Sequence, residues 1–119
     1  MIGAPGTNSG VGAAYVVFGQ ATGFAAEIDL GNLSGNDGFR LEGGASDDRL
    51  GYSVSSAGDV NGDGFDDVIV GANVASNDGI YSGSAYVVYG GDSGFPAILK
   101  AQDLEGDVGF RLVFLHVVA

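Results

Sequence analysis

Side chains that carry oxygen recur at alternate positions of one glycine-containing stretch, residues 59–67. The side chains in this pattern are those of Asp59, Asn61 and Asp63, with Asp67 following after a gap. In a tight turn, alternate side chains can converge on one point, and Gly62 and Gly64 can adopt the positive φ values that such a turn needs. A ring of hard oxygen donors suits Ca²⁺ better than a metal that prefers nitrogen or sulfur ligands.

The stretch begins with the same order of residue types as a helix-loop-helix calcium site. Such a site ends with a bidentate Glu at its twelfth position, where this sequence has Val70. The flanking residues 53–57 and 68–70 also favour strands over helices. We therefore expect a calcium loop between two strands, with Asp66 directed towards solvent. The predicted ligands are the side chains of Asp59, Asn61, Asp63 and Asp67 and the backbone carbonyl of Phe65.

Two alternatives to calcium stay open at this point. Mg²⁺ demands a smaller octahedral shell and keeps several waters, so it fits the pattern less well. A plain turn rich in Asp and Asn would need no metal at all. If the carboxylates do converge, they repel one another, and bound Ca²⁺ should stabilise the surrounding fold.

The net charge of the chain argues against two classes of binding partner, nucleic acids and anionic membranes. The net charge is −11, with 15 acidic against 4 basic residues, so the surface should repel nucleic acid and anionic membranes. Acidity can also serve solubility alone. The sequence contains no Cys, and therefore no thiolate zinc site or disulfide framework. No apolar stretch approaches the roughly 18 residues of a membrane span, and the N-terminus does not resemble a signal peptide.

The chain repeats itself. The offset in numbering between Tyr15 and Tyr86 also relates the blocks 14–19 and 85–90, 23–24 and 94–95, and 38–41 and 109–112. Residues 2–4 match 70–72 at a slightly shorter offset, and the difference falls in a polar loop where insertions are tolerated. A chance likeness is improbable because aromatic, Arg and Leu positions share one register.

The repeat defines three segments. Residues 1–44 are the C-terminal part of one unit, residues 45–112 are a second unit with the acidic loop, and residues 113–119 are an apolar tail with no counterpart. Met1 stands where Ile69 stands in the next copy, within a predicted strand, so we expect a fragment of a longer array. The sequence alone does not show whether residues 113–119 form an additional strand.

The predicted structure is all-β. Strands are expected at 68–70, which is continuously apolar, and at 86–89, which is aromatic and β-branched. Further strands are expected at 53–57, which contains the β-favouring Val54, and at 110–112, which would close a four-stranded unit. Residues 73–84, rich in Gly, Ser and Asn, would form the hairpin connection. Residues 90–109 should be mostly irregular, with a helical turn possible at 100–104.

Three blocks of the second unit together resemble an FG-GAP repeat. The blocks are Leu50-Gly51-Tyr52-Ser53-Val54, Gly58-Asp59-Val60-Asn61-Gly62-Asp63-Gly64 and Val70-Gly71-Ala72-Asn73. FG-GAP repeats form the β-propellers of integrin α-subunits and of many bacterial secreted or surface proteins. Leu50 replaces the family's Phe and Asn73 replaces its Pro, whereas Gly3-Ala4-Pro5 of the earlier copy is intact.

The resemblance implies antiparallel four-stranded blades of a β-propeller, here a fragment of about two blades. It implies a calcium loop between the first two strands of a blade and places the family's metal positions on Asp59, Asn61, Asp63, Phe65 and Asp67. Fewer than two blades cannot close a ring, and open sheets expose their edges. We therefore expect the chain to pack on further blades or to self-associate.

Other residues give weaker indications. His116 lies in the apolar tail without a partner pattern, and the pair Asp47-Asp48 is better explained as a solvated loop than as acid–base machinery. Arg40 and Arg111 recur in register, which predicts a repeated ion pair or hydrogen bond. The tyrosines at positions 15, 86 and 89 fit strand packing.

The sequence thus predicts a non-enzymatic, calcium-binding segment of an extracellular or cell-surface protein. Its role would be structural, or recognition of a protein ligand in adhesion, with no nucleic acid partner and no membrane insertion. A glycan-binding propeller and a non-catalytic accessory module of a secreted hydrolase are the alternatives.

Overall fold

Strands form most of the regular structure in the computed structural model, which describes residues 1–20, 22–44, 48–72, 76–77, 80–81, 83–91 and 94–113. The first repeat contains β1 (Ile2–Ala4), β2 (Ala13–Val17) and β3 (Gly38–Glu42). The second contains β4 (Leu50–Gly58), β5 (Asp67–Ala72), β6 (Ser76–Asn77), β7 (Ile80–Tyr81), β8 (Ser84–Val88), β9 (Ile98–Lys100) and β10 (Gly109–Val113).

Short helical segments lie in the connections. Two 3₁₀ helices occupy corresponding places in the two repeats, Leu30–Asn32 and Ala101–Asp103. A single helical turn at Thr7–Gly10 contains three residues with positive φ, Asn8, Ser9 and Gly10, so it is a tight turn and not the start of a regular helix.

The second repeat supplies one complete four-stranded sheet, in the order β10-β8-β5-β4, with all neighbours antiparallel. In β5, Val70 is buried and Val68 and Ile69 are partly buried, which fits a central strand. The β4–β5 register shifts between Ser56 and Gly58, where β4 approaches the loop at 59–66. The strands β6 and β7 form a separate hairpin within the β5–β8 connection.

The first sheet has the order β1-β2-β3-β9, so its fourth strand comes from the second repeat. β1, β2 and β3 pair antiparallel, whereas β9 lies parallel to β3, with Leu41 opposite Leu99. The N–H of Arg40 donates to the carbonyl of Ala97 at 2.9 Å, immediately before β9. The second repeat thereby completes the sheet of the first.

The main hydrophobic core lies between the two sheets. Leu41 of the first repeat and Leu50, Val70 and Val88 of the second are all fully buried and belong to one cluster. A second, smaller cluster centres on buried residues of the first repeat and includes Leu33. Because the larger core draws on both repeats, neither repeat buries its apolar face alone.

An aromatic group joins the repeats at the edge of this core. Phe39 of β3 stacks on Phe95 of the second repeat, with ring centroids 4.9 Å apart and planes inclined by 6°. Phe18 contacts both rings at centroid distances of 6.0 and 5.2 Å. Offset and tilted ring pairs at these distances add stability beyond the apolar area that they bury.

The all-β prediction is confirmed. Three of the predicted strands are present with wider bounds, and the strand predicted at 86–89 is present as Ser84–Val88, with Tyr89 just beyond it. Residues 90–109 are less irregular than expected, because they contain β9 as well as the 3₁₀ helix at 101–103. Sequence reasoning missed β9 because its three residues show no alternation and pair outside their own repeat. The proposed division at residues 44, 112 and 119 stays a prediction, and residues 114–119 of the tail lie outside the described part.

Candidate metal site

The acidic loop connects two paired strands, as the sequence predicted. β4 ends at Gly58, β5 begins at Asp67, and these two residues are opposite each other in the ladder. The strand pairing therefore fixes both ends of the loop. Inside it, Gly62 and Gly64 have φ values of 75° and 92°, the left-handed region that glycine adopts without strain.

Three carboxylates converge within this loop. Asp59, Asp63 and Asp67 each offer an oxygen, and these oxygens all lie within 4.8 Å of one another. Asp59 and Asp63 are exposed to solvent, whereas Asp67 is fully buried at the start of β5. The cluster thus has an open side through which an ion could enter and a closed side supported by the sheet.

Asp59 organises the turn through backbone hydrogen bonds. Its Oδ1 accepts from the N–H of Gly62 at 2.9 Å and of Asp63 at 3.1 Å, and its Oδ2 accepts from Gly64 at 2.8 Å. These bonds favour the ionised carboxylate. The bond from the Gly64 N–H is the main cause that lowers the pKa of Asp59. Desolvation opposes it, the bonds from Asp63 and Gly62 add to the lowering, and the net effect is a lowered pKa.

Asp67 connects the loop to the body of the sheet. Its Oδ2 accepts a hydrogen bond from the N–H of Val60 at 2.8 Å, and its Oδ1 accepts one from Gly90 at 2.8 Å, just beyond β8. Two backbone donors partly compensate the burial of this charge. The same side chain therefore holds the beginning of the loop and the end of a neighbouring strand.

Gly90 is a site residue that sequence reasoning missed. A Cβ at this position would overlap the carbonyl oxygen of Asp66, so only glycine allows its N–H to reach Asp67. The recurrence of Gly19 and Gly90 in the two repeats was the available signal. It carried no hint of a contact with the acidic loop, because that contact is distant in sequence.

The other predicted ligands lie in the same loop. The Nδ2 of Asn61 donates to Asp63 Oδ2 at 3.3 Å, and the N–H of Phe65 donates to Asp63 Oδ1 at 3.0 Å. Asn61 would bind a cation through its amide oxygen. The assignment of Asn61 and of the Phe65 carbonyl as ligands stays a prediction, as does the assignment of the three carboxylates.

The chemistry of the donor set fits a hard cation. The converging ligand atoms are carboxylate oxygens, without nitrogen or sulfur, which suits Ca²⁺ and argues against softer metals. Three negative charges this close repel one another, and a divalent ion would relieve that repulsion. The loop can therefore hold an ion.

The comparison with known proteins agrees with this geometry. Residues 50–89 match the FG-GAP repeat family. The match begins with β4, contains the whole acidic loop and ends just after β8, so it covers three strands of the second sheet. An FG-GAP repeat in this segment is consistent with the all-β architecture of a propeller-blade fragment.

Individual relatives share about half of this chain. A Bos taurus phosphatidylinositol-glycan-specific phospholipase D is 47% identical over 58 residues, 48% of this chain and 7% of the relative. The Homo sapiens phosphatidylinositol-glycan-specific phospholipase D is 45% identical over 58 residues, 48% of this chain and 7% of the relative. Integrin alpha pat-2 from Caenorhabditis elegans is 43% identical over 58 residues, 49% of this chain and 4% of the relative.

The remaining candidate residues have mixed outcomes. Arg40 pairs with Glu42 at 3.2 Å, and Val113 occupies the position of Glu42 in the second repeat, so that particular pair does not recur. The predicted ion pair or hydrogen bond of Arg111 stays a prediction. Tyr15 and Tyr86 are buried in the strands, as predicted. His116 and Asp47 lie outside the described residues. Within the described part, no helix is long and apolar enough to cross a membrane.

Proposed function

We propose that this chain is a calcium-binding FG-GAP β-propeller segment of an extracellular or cell-surface protein of the bacterial type, with a structural or adhesive protein-recognition role and no catalytic activity of its own. The observation that carries the proposal is the convergence of the Asp59, Asp63 and Asp67 carboxylates in a loop that joins paired strands. FG-GAP repeats typically bind calcium, and the matched segment contains this loop.

Calcium would act on the fold through Asp67. An ion held by the three carboxylates neutralises their repulsion and fixes the loop between β4 and β5. Because Asp67 also accepts hydrogen bonds from Val60 and Gly90, the ion would stiffen the junction with β8 as well. Ligand binding to the folded state alone stabilises it in proportion to the logarithm of ligand concentration. Any protein partner would bind elsewhere on the surface.

A calorimetric titration with matched variants tests calcium binding. CaCl₂ is titrated into metal-free wild type, Asp63→Asn and Asp66→Asn, and the thermal midpoint of each is measured with CaCl₂ and with chelator. Asp66 is the control because it is exposed, adjacent to the cluster and outside it. We expect Asp63→Asn to weaken binding by about tenfold or more, since it removes one charged ligand, and Asp66→Asn to bind nearly as wild type does.

Equal heats for all three proteins, or equal midpoints with calcium and with chelator, would refute the proposal. A titration with MgCl₂ separates the two ions, because a loop that prefers calcium should respond much more weakly to magnesium. A response to magnesium as strong as the response to calcium would contradict the assignment of the ion.

A second candidate function is an accessory module attached to a hydrolase. It is favoured by the two phospholipase D relatives, whose matched regions cover 7% of their lengths. In this case the segment would support or position a catalytic domain in another part of the same protein. Expression of the complete open reading frame, with and without residues 1–119, would show whether hydrolase activity depends on the segment.

A further inference from the structure

The junction between the repeats has two faces, which we name by their roles. The acceptor face belongs to the first repeat and consists of Phe39 and Leu41 on β3. The donor face belongs to the second repeat and consists of Phe95 and Leu99. Phe95 stacks on Phe39, and Leu99 stands opposite Leu41 in a parallel ladder. Phe39, Leu41 and Leu99 are buried as a result.

A second acceptor face stands open on the second repeat. Phe110 corresponds to Phe39 and is 37% exposed instead of 3%, and Leu112 corresponds to Leu41 and is 49% exposed instead of 1%. Both lie on β10, which is an edge strand of its sheet among the described residues. Uncovered apolar side chains on an unpaired strand edge are a template for addition of another strand.

A pair of corresponding glycines also shows that no described residue covers the second acceptor face. Gly35 packs so closely on Phe95 that a Cβ would overlap the Phe95 carbonyl oxygen. Gly106, its counterpart, has no atom within 4 Å of the position where a Cβ would stand. The space beside Gly106 thus has no occupant among the described residues.

A second donor face stands open on the first repeat. Phe24 corresponds to Phe95 and is 54% exposed, and Ile28 corresponds to Leu99 and is 42% exposed. At the end of this segment the backbone resembles its counterpart, because Asp29 is extended (φ −81°, ψ 106°) like Lys100 (φ −94°, ψ 130°). Each of these residues leads into the 3₁₀ helix of its repeat.

From these four faces we propose that the chain self-associates head to tail, with the donor face of one copy covering the acceptor face of a second copy. Residues 27–29 of one copy would add a parallel strand beside β10 of the other. The internal β3–β9 register, transferred by the repeat offset, sets Ile28 opposite Leu112 and Glu27 opposite Arg111. The apolar pair and the opposite charges both match, which favours this occupant over an unrelated strand.

Such an interface is heterologous, because its two faces are different surfaces. Each copy that joins leaves one face of each kind free, so growth continues into a ring or an open filament. The inference rests on the repeat geometry and not on calcium, so it stands or fails separately from the proposed metal function.

The test uses one variant that blocks each face. Ile28→Asp disables the donor face and keeps the acceptor face, whereas Leu112→Asp does the reverse. Association is measured by sedimentation velocity at several concentrations, in chelator, for wild type, each variant and their equimolar mixture. Tyr52→Asp is the matched control, because Tyr52 is also exposed and apolar but lies on β4, at the opposite edge of the sheet.

We expect wild type and Tyr52→Asp to form concentration-dependent oligomers. Each blocked variant alone should associate roughly tenfold or more weakly, since a charge replaces a buried apolar side chain. The mixture should give a one-to-one dimer and nothing larger, because one intact face of each kind remains. A wild type that is monomeric up to about 1 mM, a mixture that stays monomeric, or blocked variants that associate like wild type would each overturn the proposal.

If either aspartate variant fails to fold, an exchange of the charges at positions 27 and 111 still tests the proposed interface. Glu27→Arg and Arg111→Glu lie in different repeats, and both positions are exposed. Each single change should weaken association several-fold, and the double variant should restore it. Failure of the double variant to restore association would exclude the proposed register.

Discussion

The two repeats place the same residues in different surroundings. Phe39 and Leu41 are buried, whereas Phe110 and Leu112, in the identical Gly-Phe-Arg-Leu block of the second repeat, are exposed. The difference lies in the neighbouring strand: β9 covers β3, and no described strand covers β10 on its outer edge. Burial at these positions is therefore a property of the neighbouring repeat and not of the repeat's own sequence.

The largest difference in stability between the two repeats is expected when the same side chain is truncated in each of them. Leu41→Ala should lower the free energy of unfolding by about 2–5 kcal/mol, because it leaves a cavity in the shared core. Leu112→Ala should lower it by less than about 1 kcal/mol in the monomer, since the side chain is half exposed. Urea denaturation at low protein concentration measures both. Equal losses would mean that the two repeats have equivalent cores.

A smaller effect is expected at the paired glycines. Gly90→Ala should cost about 1–3 kcal/mol, because its methyl group would overlap the Asp66 carbonyl oxygen and disturb the bond to Asp67. Gly19→Ala meets no atom within 4 Å and should be nearly neutral. Thermal denaturation of the two variants compares their stabilities, and calcium affinity should fall only in Gly90→Ala. A neutral Gly90→Ala would show that the acidic loop is not held against β8.

The smallest effect concerns pH. Asp37 in the first repeat accepts from the N–H of Ser34 at 2.8 Å, and chiefly for this reason its pKa is lowered. Val108 stands at the corresponding position of the second repeat. A lowered pKa stabilises the fold above the unfolded value of about 3.9, and this contribution is lost as pH falls through the folded value.

The measurement is the thermal midpoint of wild type and Asp37→Asn between about pH 6 and pH 2.5. Wild type should lose its advantage over the variant as the pH falls below about 4. Calcium should leave this difference unchanged, because Asp37 is outside the acidic cluster. A constant difference across the range would show that the Asp37 carboxylate contributes nothing to stability.

Local features of this molecule could be predicted from the sequence. The order of oxygen-bearing residues at 59–67, with strand-forming flanks, predicted a loop between strands, and β4 and β5 do enclose it. A continuous apolar run predicted β5, an aromatic and β-branched run predicted β8, and the need for a fourth strand in the unit predicted β10. The repeat offset predicted equivalent units in both halves. A helical turn was expected only at 100–104, and its counterpart at Leu30–Asn32 was not predicted.

Features that depend on contacts between distant residues could not be predicted. The strand β9 is too short for a periodic signal and pairs with β3 of the other repeat. The hydrogen bond from Gly90 to Asp67 joins residues 23 positions apart. The register of Arg40 and Arg111 did not reveal the partner of Arg40, which is Glu42, a residue that Val113 replaces in the second repeat.

The parallel pairing of β9 with β3 has a consequence for biosynthesis. Arg40 and Ile98 are neighbours in the ladder although they belong to different repeats. A ribosome releases the chain from the N-terminus, so β1, β2 and β3 emerge well before the strand that completes their sheet. The nascent first repeat therefore exposes Phe39 and Leu41 until β9 has emerged. Apolar surface exposed during this interval makes the partly synthesised chain prone to aggregation.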